Sequence, residues 1–113
     1  MRILNQSLLP RSIETTMREV FPDKCAQLGE SECSRLVNEA VRRGRQQGFE
    51  DAQLPAYVSL EFCFGPDFGV DEKYRDWAGR DLEDRTSASQ ERMQRLRTAA
   101  IRYLIKAEAG GEE

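Results

Sequence analysis

The residues best suited to chemistry are four carboxylates, two of which, Asp67 and Asp71, lie in or beside a glycine-containing loop. They are Asp67, Asp71, Glu72 and Asp76. Carboxylate oxygens could hold a hard cation, but this spacing lacks the alternating ligands and closing glutamate of a calcium-binding loop. We therefore interpret the four residues as solvated or helix-capping groups, predict no metal site, and keep them as candidate partner-binding residues.

The residue types and spacings give little support for nucleophilic or cofactor-dependent catalysis. The chain has three cysteines and no histidine, so the commonest metal ligand and the commonest general base are both missing. Cys25 and Cys33 lack the short spacing of zinc or redox pairs, and we interpret them and Cys63 as small buried hydrophobic residues. No nucleotide-binding glycine motif is present. We predict a non-enzymatic protein without a cofactor.

Two groups of arginines could contact an acidic partner or phosphates. The candidate residues are Arg35, Arg42, Arg43 and Arg45 in one segment, and Arg92 and Arg95 in another. The formal net charge of -3 gives no general attraction to nucleic acid. We expect a protein partner, and an arginine-led nucleic-acid-binding or regulatory module is kept only as an alternative.

Apolar residues at spacings of three and four predict helices through most of the first half. The first helix should begin after Ser12 and end at Pro22, and a short one should follow up to Gly29. Ser31 should cap the next helix, and Gly48 should end it. Its apolar stripe comprises Cys33, Leu36, Val37, Ala40, Val41 and Gly44.

The segment from Leu54 to Phe64 fits two periods. Val58, Leu60 and Phe62 alternate with polar residues, which is typical of a strand, whereas Pro55 and Gly65 suit the ends of a helix. A lone strand would leave its backbone groups unpaired, so a buried helix is favoured. A strand would have to pair with another protomer.

Two helices of opposite charge should follow. Residues 61–84 contain eight acidic and three basic residues, and residues 85–106 contain six basic residues and one acidic residue. Asp71 should cap the first of these helices, and Ser87 with Gln90 should form a capping box for the second. Met93, Leu96, Ala100, Tyr103, Leu104 and Ala107 should form the apolar face of the second helix.

The predicted fold is all-α, a single compact bundle of about five helices over residues 1–109 with a disordered tail at 110–113. Leu54 to Phe64 should be its central apolar helix. No apolar run is long enough for a signal sequence or a membrane span, so we expect a cytoplasmic protein without membrane contact. The predicted core comprises Leu36, Val41, Val58, Leu60, Phe62, Phe64, Phe68, Trp77, Leu96 and Ile101.

The order of these motifs resembles a family of small helical accessory proteins encoded beside bacterial type VI secretion spike-tip (PAAR-type) and effector genes. The likeness covers about residues 12–105. Two departures are Gln47-Gly48-Phe49, where the family has an aromatic, a glycine and a β-branched residue, and Val70-Asp71, where it has Asp-Pro. The matching positions are Phe21-Pro22, Leu28-Gly29, Val37 to Phe49, Tyr57 to Leu60, Phe64 to Phe68, Asp71, Trp77, Leu82, Arg92-Met93 and Leu96.

The resemblance implies a co-chaperone or adaptor that helps to load or stabilise an effector by binding an adaptor chaperone, the effector or a spike-tip protein. It implies no catalytic residues. An alternative is an immunity protein whose acidic residues between Asp67 and Asp84 bind a basic toxin. A homodimer is compatible with each of these functions.

Overall fold

A computed structural model describes the backbone of residues 2–84 and 86–109 and the side chains of residues 9–79, 82, 84 and 86–108. These residues form helices and turns without a strand, which confirms the all-α prediction. The predicted tail at 110–113 lies outside the described residues. The helices are α1 (Arg2–Val20), α2 (Pro22–Leu28), α3 (Glu30–Gln46), α4 (Leu54–Phe64), α5 (Arg75–Glu83) and α6 (Ser89–Ala109), with a 3₁₀ turn at Asp51–Gln53 before α4.

Helix α1 is longer than its sequence predicts. It begins at Arg2 and contains Pro10, whereas the predicted start lay after Ser12. A proline inside a helix removes one backbone donor, so the extension of α1 before Ser12 carries a local energetic cost. Ile13 and Met17 are buried in the core, so packing of the second half of α1 offsets that loss.

A glycine joins α2 to α3, as predicted. Gly29 has a φ of 87°, a left-handed conformation that favours glycine, and it lies between the two helices. Because α3 already begins at Glu30, Ser31 lies inside its first turn and is not its cap. The predicted apolar stripe of α3 is buried, with Leu36 only partly so.

Helix α4 is the centre of the bundle, and its prediction as a helix is confirmed. Buried residues cover almost its whole circumference, which explains why neither the helical nor the strand period stood out in the sequence. It packs against α1, α3 and α6. Gly44 of α3 allows a close approach, since a methyl group there would lie 2.7 Å from Leu54 Cδ2.

Aromatic residues hold the second half of the chain to α4. Phe68 is buried in the turns between α4 and α5, where its ring lies near those of Phe64 and Trp77. Tyr103 of α6 contacts the same cluster, with its ring centroid 5.9 Å from that of Phe64. These contacts fix the position of α6 relative to α4.

The starts of α5 and α6 differ in detail from the prediction. Asp71 accepts a hydrogen bond from the Lys73 amide at 2.9 Å and orders the turn before α5. Helix α6 begins at Ser89, two residues after the predicted cap Ser87. Asp84 accepts hydrogen bonds from the amides of Thr86 and Ser87 in the turn before α6.

Helices α5 and α6 pack against each other, as their opposite charges predicted. Arg95 of α6 pairs with Asp84 at 2.9 Å. Three hydrogen bonds to Oδ1 of Asp84, from the hydroxyl and amide of Thr86 and the amide of Ser87, lower the pKa of Asp84 below its ordinary value because they favour the charged form. The carboxylate therefore orders the connection into α6.

Candidate protein-docking site

The C-terminal half of α6 exposes three large apolar residues. Ile101, Leu104 and Ile105 are 52%, 44% and 61% exposed, respectively. The predictions that Ile101 lies in the core and that Leu104 and Ala107 lie on the buried face of α6 are therefore wrong. After Ala100 only Tyr103 remains partly buried among the described residues of α6, because the other helices do not cover this part. We call Ile101, Leu104 and Ile105 the α6 face.

An open groove of about 450 Å³ lies between α4 and α6 beside this face. Its α4 wall includes Pro55, Ala56, Ser59 and Cys63, and its α6 wall includes Arg97, Ile101 and Leu104. Most of these groups are apolar or small. The groove therefore offers a surface against which apolar side chains of another molecule could pack.

Cys63 is exposed at the edge of the groove, which corrects its predicted burial. Desolvation raises the pKa of the Cys63 thiol above its ordinary value because the neutral form is favoured. This environment does not activate the thiol as a nucleophile. Cys25 and Cys33 are buried, as predicted.

Most of the candidate arginines of α3 are paired within the chain. Arg35 contacts Glu32 and Glu39, and Arg45 contacts Asp51 at 3.1 Å. Arg42 is exposed and has no ion pair with a described residue. The arginine surface predicted from the sequence is therefore largely neutralised by neighbouring carboxylates.

Arg43 links α3 to α4. Two of its nitrogens donate to the Glu61 carboxylate at 2.9 and 2.8 Å, and Glu61 is only 6% exposed. Tyr57 lies beside this pair, and its pKa is raised chiefly by burial and to a smaller extent by a hydrogen bond with Glu61. The arrangement gives Arg43 a structural role in holding α3 to α4.

Arg92 is inside the protein, which contradicts its predicted place on a binding surface. It is 2% exposed, donates a hydrogen bond to the Leu82 carbonyl at 2.8 Å, and lies 4.5 Å from the Phe49 ring centroid. Its position four residues before Leu96 on the same helical face is a signal that could have revealed its burial. Arg95 is exposed and pairs with Asp84.

The four candidate carboxylates form an exposed acidic segment. Val70, at its centre, is 70% exposed. Within the described part of the chain, no group of three or more histidine, cysteine or acidic residues is placed to hold a metal ion. We call this segment the acidic segment, and its carboxylates are Asp67, Asp71, Glu72 and Asp76.

Comparison with protein-family models, curated proteins and solved structures gives no match. The described helices include none with the combined length and apolar character of a membrane span. The α6 face, the adjoining groove and the acidic segment are therefore the features from which a function can be inferred.

Proposed function

We propose that this protein is a non-enzymatic accessory protein, a co-chaperone or adaptor, that binds another protein and assists the loading or stabilisation of a type VI secretion effector. Protein binding is supported by one observation, the exposed α6 face beside the α4–α6 groove. The secretion role is supported by the resemblance of the sequence motifs.

Scattered exposed apolar residues are ordinary, whereas adjacent ones beside a groove are typical of interaction sites. Ile101, Leu104 and Ile105 follow the spacing of helix anchors that insert into an apolar surface. Full burial of such a side chain contributes about 1.5–3 kcal/mol. Because the three residues are already about half-buried, docking would gain about 3 kcal/mol from them, or roughly two orders of magnitude in affinity.

Co-expression with the products of neighbouring genes tests this proposal. Candidate partners are an adaptor chaperone, an effector and a spike-tip protein, and complexes would be detected by size-exclusion chromatography. Leu104→Gln and Ile105→Gln should each weaken co-elution with the partner. Lys106→Gln is a matched control, because it places the same side chain on another exposed side of α6.

The loading role requires a separate measurement in cells. Deleting the gene should lower the amount of effector that is secreted or that accumulates, and the Leu104→Gln variant should restore it less well than the wild type. Unchanged effector secretion and stability after deletion would rule out the loading role.

An immunity function is the second candidate, and the acidic segment favours it. Exposed carboxylates around Val70 would complement a basic toxin surface. Under this function the protein should protect cells that express the cognate toxin, and Asp71→Asn with Asp76→Asn should reduce protection. A nucleic-acid-binding role has less support, because Arg92 is buried and Arg43 is paired with Glu61.

A further inference from the structure

We propose that a second copy of this chain covers the α6 face in the free protein, through antiparallel pairing of α6 with α6 about a two-fold axis. This inference rests on the proposed function only in that both use the α6 face.

The register of α6 places five exposed residues in one row. Arg97, Ile101, Leu104, Ile105 and Glu108 recur at spacings of three and four, so they share one side of the helix. If two copies of α6 run antiparallel and cross between residues 102 and 103, Ile101 lies opposite Leu104 of the second copy. The same alignment places Arg97 opposite Glu108 of the second copy.

The charges select the antiparallel direction. Arg97 and Glu108 are exposed, and neither has an ion pair with another described residue. Antiparallel pairing joins each arginine to a glutamate, and two-fold symmetry makes this contact twice. Parallel pairing would instead place Arg97 beside Arg97 and Glu108 beside Glu108, and like charges at such positions are destabilising.

The helix is accessible along the length that this pairing needs. Between residues 97 and 108, Arg97, Thr98, Ile101, Arg102 and residues 104–108 are exposed, whereas Ala99, Ala100 and Tyr103 face the bundle. A second helix can therefore pack there without a change in the bundle. The contact uses the same patch on both copies, so it closes into a dimer and does not lead to a filament.

A dimer of this kind would compete with the protein partner, because both would contact Leu104. Partner binding would then require the two copies to separate. The second copy would keep the apolar residues away from water until a partner replaces it, which would limit non-specific association of the free protein.

Sedimentation equilibrium of the purified protein tests the pairing. The mass should rise with concentration from the 13.0 kDa of one chain towards twice that value, over about 1 to 500 µM. Arg97→Glu or Glu108→Arg alone should weaken dimerisation about tenfold. The double variant restores opposite charges across the interface and should recover the wild-type dissociation constant. Arg102→Glu is the matched control and should have a smaller effect.

Three results would overturn the inference: a 13.0 kDa mass at every concentration, a dimer that the single variants leave unchanged, or failure of the double variant to recover dimerisation. Circular dichroism of each exposed-site variant checks that the helices remain folded. If the wild type is monomeric but a gene-cluster product binds the α6 face, the dimer is wrong and the proposed function stands. If the dimer forms and no such product binds, the dimer stands and the proposed function is wrong.

Discussion

Replacing Arg92 with methionine should lower the free energy of unfolding by about 2 kcal/mol. Methionine keeps much of the unbranched stem and removes the guanidinium that contacts the Leu82 carbonyl and the Phe49 ring. A hydrogen bond from a charged donor contributes about 1.5–3 kcal/mol, and a cation–π contact about 0.5–2 kcal/mol. Relief from burying a charge offsets part of the sum.

Urea denaturation followed by circular dichroism measures this loss. For a chain of 113 residues, with a slope of about 2 kcal/mol per molar urea, the midpoint should fall by about 1 M. Arg102→Met is the matched control, because Arg102 is exposed on the same helix, and it should change stability by less than about 0.5 kcal/mol. A double-mutant cycle with Phe49→Leu should give a coupling of about 1 kcal/mol.

A stability of Arg92→Met equal to that of the Arg102→Met control would contradict this prediction. The guanidinium would then contribute nothing to the fold. A coupling of zero in the cycle with Phe49→Leu would exclude the cation–π contact while leaving the hydrogen bond to the Leu82 carbonyl in place.

Three further predictions follow from the packing of α3 and α4. Gly44→Ala should destabilise the protein by about 1–2 kcal/mol, because the overlap of the new methyl group with Leu54 outweighs the gain in helix propensity. A higher urea midpoint would contradict the close approach of α3 and α4. Glu61→Gln should lower the free energy of unfolding by about 2–3 kcal/mol, because Arg43 loses its paired carboxylate. A smaller loss than the same substitution causes at an exposed glutamate would disprove the structural role of the pair. Cys63 should react with a maleimide well before Cys33, because Cys63 is exposed whereas Cys33 is buried and burial raises its pKa to about 11; equal rates by mass spectrometry would disagree.

The fold could be predicted because burial and helix periodicity agree in most of the chain. The stripe of α3 gives a single apolar face, and the ends of α4 are marked by Pro55 and Gly65. The early start of α1 could not be predicted, because the penalty of Pro10 is local whereas the packing that offsets it is tertiary.

The candidate site was harder to predict, for a different physical reason. Ile101 and Leu104 continue the amphipathic pattern of α6, but periodicity does not show where the neighbouring helices stop covering a helix. The charge of Arg92 predicts a surface position, whereas its place on the same helical face as Leu96 agrees with its burial. The pairing of Arg43 with Glu61 joins different helices and has no local signal.

The affinity of a partner for the α6 face decides whether docking takes place there. With the gene-cluster product that co-purifies, calorimetry should show that the variant carrying both Leu104→Gln and Ile105→Gln binds about thirtyfold more weakly than the wild type, since these two residues supply about 2 of the roughly 3 kcal/mol expected from the α6 face. The variant with Asp71→Asn and Asp76→Asn should bind within about threefold of the wild type. Wild-type affinity in the α6 variant, with loss of binding in the acidic-segment variant, would contradict the claim and assign docking to the acidic segment.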